Sequence, residues 1–152
     1  MANFYLGWPA AVAQVQGGDA APELTGTVSF FPSGTNTMVI ADIQNLPQNN
    51  KPCQSGIFGF HIHEGISCEG EEFSNTKGHF NPKNCPHPYH AGDIPPLFQC
   101  NNRAFMAFLT DRFQIKDIIG KTVVIHSNPD DFTTQPSGNS GNKIACGVIK
   151  YA

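Results

Sequence analysis

The 152-residue chain has no apolar run approaching the roughly 20 residues that a membrane-spanning helix requires. Met1–Trp8 shows neither the basic start nor the apolar middle of a secretory signal. The expectation is a soluble chain kept in the cytoplasm, with export of a longer precursor left open. Charged residues are few, at 14%, and no basic run stands out: 9 Lys and Arg face 12 Asp and Glu, for a net charge of −3. Nothing in that pattern could neutralise a nucleic-acid backbone or an anionic membrane surface. Internal repeats, low-complexity tracts and linkers are also lacking, so residues 1–152 are read as one domain.

Glycine and proline are plentiful, 15 and 12 residues, which implies many turns and little helix. Between the turns lie short apolar or alternating runs, the pattern of an all-β sandwich or barrel. Eight strands are predicted: Pro9–Gln16, Leu24–Phe31, Thr37–Asn45, Gly56–Glu64, Leu97–Cys100, Arg103–Thr110, Lys121–Ser127 and Lys143–Lys150. Two long segments stay irregular, Gly65 to about Pro96 and Asn128–Asn142, and Asp111–Ile119 is a connection with room for a helical turn. Structureless stretches of that length in a compact domain are functional or disordered.

All six histidines fall between positions 61 and 126, outside the first three strands. His61 and His63 stand at i and i+2, so a strand presents both imidazoles on one face, opposite Phe58, Phe60 and Ile62. A His-x-His pair alone is usually a surface feature, and His126 alone would read as a satisfied histidine at a strand end. His79, His87, His90 and Asp93, however, share a Pro- and Gly-rich loop with little reason to order itself without an ion, and three imidazoles with one carboxylate suit Zn²⁺. Six unrelated histidines at these spacings are a poor alternative to a metal centre.

Four separate stretches, Gly59-Phe60-His61-Ile62-His63-Glu64, Gly78-His79-Phe80-Asn81-Pro82, His90-Ala91-Gly92-Asp93 and Gly141-Asn142-Lys143-Ile144-Ala145-Cys146-Gly147-Val148-Ile149, stand in the order in which they occur in the copper/zinc superoxide dismutases. The chain resembles that family, its bacterial branch in particular, from about Leu24 to Val148. The resemblance implies an eight-stranded Greek-key β-barrel of sandwich type with two long functional loops. It implies copper on His61, His63, His79 and His126, and zinc on His79, His87, His90 and Asp93, with His79 shared. It further implies that Asp130 links a copper-ligand histidine to a zinc-ligand histidine, and that Cys68 and Cys146 form a disulfide. Cys53, Cys85 and Cys100 are additional. If the strand after Asp93 runs antiparallel to Gly56–Glu64, Cys53 and Cys100 fall near the same end of the barrel; a second disulfide there, leaving Cys85 free, competes with three separate thiols. Disulfides sit awkwardly with a reducing cytosol.

The implied activity is dismutation of superoxide to O₂ and hydrogen peroxide by alternate reduction and oxidation of copper, with His79 taking and returning a proton. Two departures from the family pattern bear on it. Only Pro88 and Tyr89 separate His87 from His90, so the zinc loop is short. Lys143 stands where the family usually places an anion-guiding arginine; it keeps the charge without the rigid fork of donors, and looser positioning of superoxide is expected. With no Lys or Arg in Asn128–Asn142, long-range steering is expected to be modest. The competing reading is a non-catalytic zinc- or copper-binding relative, while a purely structural sandwich leaves the histidines unexplained. A homodimer stays open.

Overall fold

The computed structural model describes residues 7–48, 52–53 and 56–152; of the segment Met1–Trp8 read above, residues 1–6 lie outside it. Among the described residues nine strands form: β1 (Ala11–Gly17), β2 (Thr25–Ser33), β3 (Asn36–Gln44), β4 (Ile57–Phe58), β5 (Phe60–His63), β6 (Leu97–Phe98), β7 (Arg103–Thr110), β8 (Thr122–His126) and β9 (Lys143–Tyr151). The fourth predicted strand is broken at Gly59 into β4 and β5; counted as one, it restores the eight expected from the sequence. Seven strands make an antiparallel sheet in the order β5-β8-β9-β1-β2-β3-β7, and β4 pairs with β6. Because β4 runs into β5, and β6 turns into β7 through the Cys100↔Arg103 bridge, the two-stranded piece closes the curled sheet. Among the described residues, no helix is long and apolar enough to cross a membrane.

Alternation decides which side chains enter the barrel. Ala11, Ala13 and Val15 of β1 point inward, as do Val28 and Phe30 of β2 and Val39, Ala41 and Ile43 of β3, while their neighbours are more exposed. The pattern fails in β5 and β8, where every residue is buried. Continuous burial means that both faces are covered: Phe60, Ile62, Val123 and Ile125 join the core, and the two long loops cover the outward-facing His61, His63 and His126. The unpaired edge of β5 is covered as well. Phe80 N–H donates to Ile62 O at 2.8 Å and Ile62 N–H donates to Gly92 O at 2.9 Å, which brings the chain around His79 and Asp93 against the strand.

The predicted connection Asp111–Ile119 contains one helical turn, Ile115–Ile118. A second short helical segment, Glu71–Thr76, interrupts the first long loop, where no helix was expected. Its left-handed backbone at Glu72 and Phe73 explains the lack of a periodic signal.

Phe30 is fully buried and meets Phe113 edge to face at 6.4 Å between ring centroids. Phe30→Ala removes the largest side chain at the centre of β2, and urea denaturation is expected to show a loss of about 3–5 kcal/mol. A loss below about 1 kcal/mol would mean that the barrel interior is not packed around it.

Candidate metal centre

The barrel and its loops bring all six histidines and two aspartates into one buried region. His61, His63, His79 and His126 form one group that could hold a metal ion, and His79, His87, His90 and Asp93 form another; within each, one ligand atom per residue lies within 4.8 Å of every other. His79 belongs to both. Its ring stacks on that of His61 with centroids 3.9 Å apart.

The hydrogen bonds fix which ring nitrogens carry protons. His63 Nδ1 faces the carbonyl of Lys77 at 2.8 Å and His126 Nδ1 faces that of Gly141 at 3.3 Å. A carbonyl can only accept, so both Nδ1 atoms are donors and both Nε2 atoms are bare in the neutral rings. Those two Nε2 atoms then face each other at 3.2 Å, lone pair against lone pair. The carboxylate of Asp130 does the same for another pair, with Oδ2 accepting from His61 Nε2 at 2.7 Å and Oδ1 from His87 Nε2 at 2.9 Å. His61 Nδ1 and His87 Nδ1 are left bare, and these two atoms and His79 Nε2 are buried without a hydrogen-bond partner. A bare imidazole nitrogen turned inward without a donor is costly, and a cation is the species that several of them can share. The donor set therefore fits two metal ions.

Asp93 organises the second group. Its Oδ1 accepts from His79 Nδ1 at 2.7 Å, and its Oδ2 lies 3.2 Å from His90 Nδ1 and accepts from His90 N–H at 3.0 Å. His87 Nδ1 also comes within 3.0 Å of Oδ2, though without hydrogen-bond alignment. Arg112 holds the loop carrying these residues: its Nη1 donates to the carbonyls of Pro88 at 2.8 Å and of His90 and Asp93 at 3.0 Å. The two loops are tied together by Gln135, whose Nε2 donates to His87 O at 2.7 Å and whose Oε1 accepts from His87 N–H at 2.9 Å. Sequence reading missed Arg112 and Gln135, because neither belongs to a motif and their targets are backbone carbonyls and amides.

Burial sets the protonation states. It lowers the pKa of His61 to about 4 against the raising hydrogen bond to Asp130, and that of His126 to about 3 with help from the His61 charge. His63 is lowered well below its ordinary value, again mainly by burial. Burial opposes ionisation of Asp130, but hydrogen bonds from His61, the Phe132 amide and His87 outweigh it and bring the pKa to about 2. Neutral rings beside a charged carboxylate are the state in which metals bind.

Lys143 enters through a β-bulge. The β8–β9 register pairs Ile125 with Ala145 and then skips Ile144, pairing His126 with Lys143. Without the skip Lys143 would point to the core face; with it, Lys143 shares the face of His126. It lines a cavity of about 360 Å³ with His63, His79, His126, Ser137 and Lys77. The ammonium is not loosely placed, since it donates to Thr76 Oγ1 at 2.7 Å and to Lys77 O at 3.0 Å.

Cys68 and Cys146 form a disulfide that pins the first long loop to β9. Cys53 and Cys100 do not pair, which corrects the expectation of a second disulfide: both are exposed thiols, and Cys85 is a third free cysteine, half-buried. The register explains it. β4 and β6 pair Ile57 with Phe98 and Phe58 with Leu97, and Cys53 and Cys100 are not partners in that register.

Residues 24–149 match the family Copper/zinc superoxide dismutase. The chain is 34% identical over 137 residues to Superoxide dismutase [Cu-Zn] of Legionella pneumophila, covering 85% of this chain and 80% of that protein. It is 31% identical over 166 residues to the protein of the same name from Deinococcus radiodurans, covering 95% and 86%. Among solved structures, a double mutant of a superoxide-dismutase-like protein from Bacillus subtilis superposes with a TM-score of 0.76 at 30% identity, over 90% of this chain and 94% of that one. The chain belongs to the copper/zinc superoxide dismutase family.

Two outcomes are expected. Asp130→Ala deprives His61 and His87 of their shared acceptor and should weaken metal binding about 10–100-fold in chelator competition; Gly138→Ala should act in the same direction, because a Cβ there would overlap the Asp130 carboxylate. Unchanged affinity in Asp130→Ala would show that the carboxylate does not set the rings. In the metal-free protein, His61 and His126 stay neutral when folded, while the unfolded chain protonates them near pH 6.5. The unfolded state then binds more protons below that pH, so Tm should fall from about pH 6.5 through about 4. A Tm that holds level across that window would show the rings to be protonated in the folded state.

Proposed function

We propose that the protein is a superoxide dismutase that holds copper on His61, His63, His79 and His126 and zinc on His79, His87, His90 and Asp93. The observation that carries this is the convergence of bare nitrogens in the four-histidine group, with every proton that can be located turned away from it to Lys77 O, Gly141 O, Asp130 or Asp93. Copper supplies the reversible one-electron couple that converts superoxide to O₂ and hydrogen peroxide, and zinc supplies a fixed positive charge. The remaining work falls to the chain.

His79 is the one ring that belongs to both groups, with Nδ1 directed at Asp93 and Nε2 bare. That Nε2 is the atom placed to take up and return a proton. Asp130 keeps His61 and His87 in one tautomer while the charge nearby changes. Lys143 offers a positive charge on the wall of the cavity that reaches His63, His79 and His126, which suits an anionic substrate. Lys77 lines the same cavity, where its carbonyl accepts from both His63 Nδ1 and the Lys143 ammonium.

The competing reading, a metal-binding relative without turnover, draws on the likeness to a Bacillus subtilis protein described only as dismutase-like. Metal content per chain and superoxide consumption, measured on one sample reconstituted with copper and zinc, separate the two: both metals without turnover would select the second. His126→Ala is expected to abolish dismutation while leaving zinc content near that of the unsubstituted protein, because His126 belongs to the first group only. Retained turnover would remove His126 from the copper site.

A further inference from the structure

A lysine gains over a rigid guanidinium only freedom, and freedom is a cost for a group that must hold a small anion in one place. The structure removes that freedom from Lys143. Thr76 is fully buried at the end of the short helical segment Glu71–Thr76, and its hydroxyl donates to Phe73 O at 2.8 Å. With the hydroxyl proton committed there, a lone pair of Oγ1 is turned toward the ammonium of Lys143, 2.7 Å away. A second acceptor, Lys77 O, lies 3.0 Å from the same nitrogen and also receives His63 Nδ1. One carbonyl thus sets both the ammonium and a ring of the four-histidine group.

We propose that Thr76 is a positioning residue for anion binding: its hydroxyl, with the carbonyl of Lys77, fixes the Lys143 ammonium so that its remaining N–H is presented to a small anion in the cavity beside His63 and His126. The proposal rests on the reading of Lys143 as the cation that receives superoxide. It has its own support in geometry. An ammonium has three donors, two are engaged by Thr76 and Lys77, and the cavity lined by Lys143, His63, His79 and His126 is where the third can act. The bulge at Ile144 supplies the other half of the device by turning Lys143 to this face. A threonine and a lysine preceding Gly78 thereby do for a lysine what planarity does for an arginine.

The test is azide binding to protein loaded with copper and zinc, read as the change in visible absorbance, together with the salt dependence of kcat/KM. Thr76→Val removes the acceptor at nearly constant volume and is expected to weaken azide binding about threefold to tenfold, the cost of ordering one long side chain at the moment of binding. kcat/KM should fall in parallel. Thr76→Ser keeps the oxygen and is expected to bind azide as the unsubstituted protein does, which a role for Thr76 in packing alone does not predict. Thr76→Ala tests the same point should Thr76→Val fail to accumulate. Lys143→Met distinguishes the two levels of the argument. If it weakens azide binding while Thr76→Val and Thr76→Ala do not, the positioning role is wrong and the Lys143 reading stands. If Lys143→Met binds azide unchanged, the Lys143 reading fails and the proposal falls with it.

Discussion

The constraint on which this structure turns is that imidazole nitrogens stripped of protons must face one another away from water. His63 Nε2 and His126 Nε2 at 3.2 Å repel unless something positive lies between them. Each ring is held in that unfavourable orientation from behind, by a carbonyl or a carboxylate that takes the proton on the other nitrogen. These acceptors come from three places in the chain: Lys77 in the first loop, and Asp130 and Gly141 in the second. The loops are long because they must supply acceptors behind the rings as well as ligands within the cluster. Asp130 matters most among them, since a single carboxylate fixes one ring from each metal group and couples their geometry.

The barrel contributes rigidity where the loops cannot. β5 and β8 are buried on both faces, with Phe60, Ile62, Val123 and Ile125 packed inward and the histidines packed outward. A shift of one residue in β5 would exchange His61 and His63 for Ile62 in the core, so hydrophobic packing and metal-site geometry fix the same register. The loops in turn act as the second layer of that sheet. Gly59, between β4 and β5, shows how closely they approach, because a Cβ there would come within 2.8 Å of the Ser140 Cβ.

Much of this was legible in the sequence. Alternation located the strands, and the clustering of His61, His63, His79, His87, His90, Asp93 and His126 located the centre, because strand period and metal chemistry both leave their mark on residue type. Groups that act through the backbone leave no such mark. Arg112 and Gln135 bind carbonyls and amides, which every residue carries, so neither announces itself. The bulge beside Ile144 is equally silent: Lys143 was readable as a cation near the site, but its fixed position depends on a register skip and on a threonine 67 residues away. The Cys53–Cys100 expectation failed because two cysteines near one end of a barrel pair only if the chain brings their sulfurs together, and here both remain free thiols.

The first loop is joined to β9 and to the residue that precedes it by three kinds of link, and their arrangement explains how a short helical segment with left-handed residues can serve as a precise support. The Cys68–Cys146 disulfide closes a ring across 78 residues of sequence separation, which on chain-entropy grounds restricts the unfolded chain by about 4.5 kcal/mol. Lys143 bonds back from β9 to Thr76 and Lys77, and the Asn142 side chain donates to Glu72 Oε1 at 3.3 Å. Separately, each polar link contributes modestly, for each must order a side chain. With the disulfide in place the loop is already held beside β9, so most of the ordering cost is met before the ammonium and the hydroxyl meet. The covalent link, which is not part of the cavity lining, thus holds the loop that carries Thr76 and Lys77 beside the strand that carries Lys143.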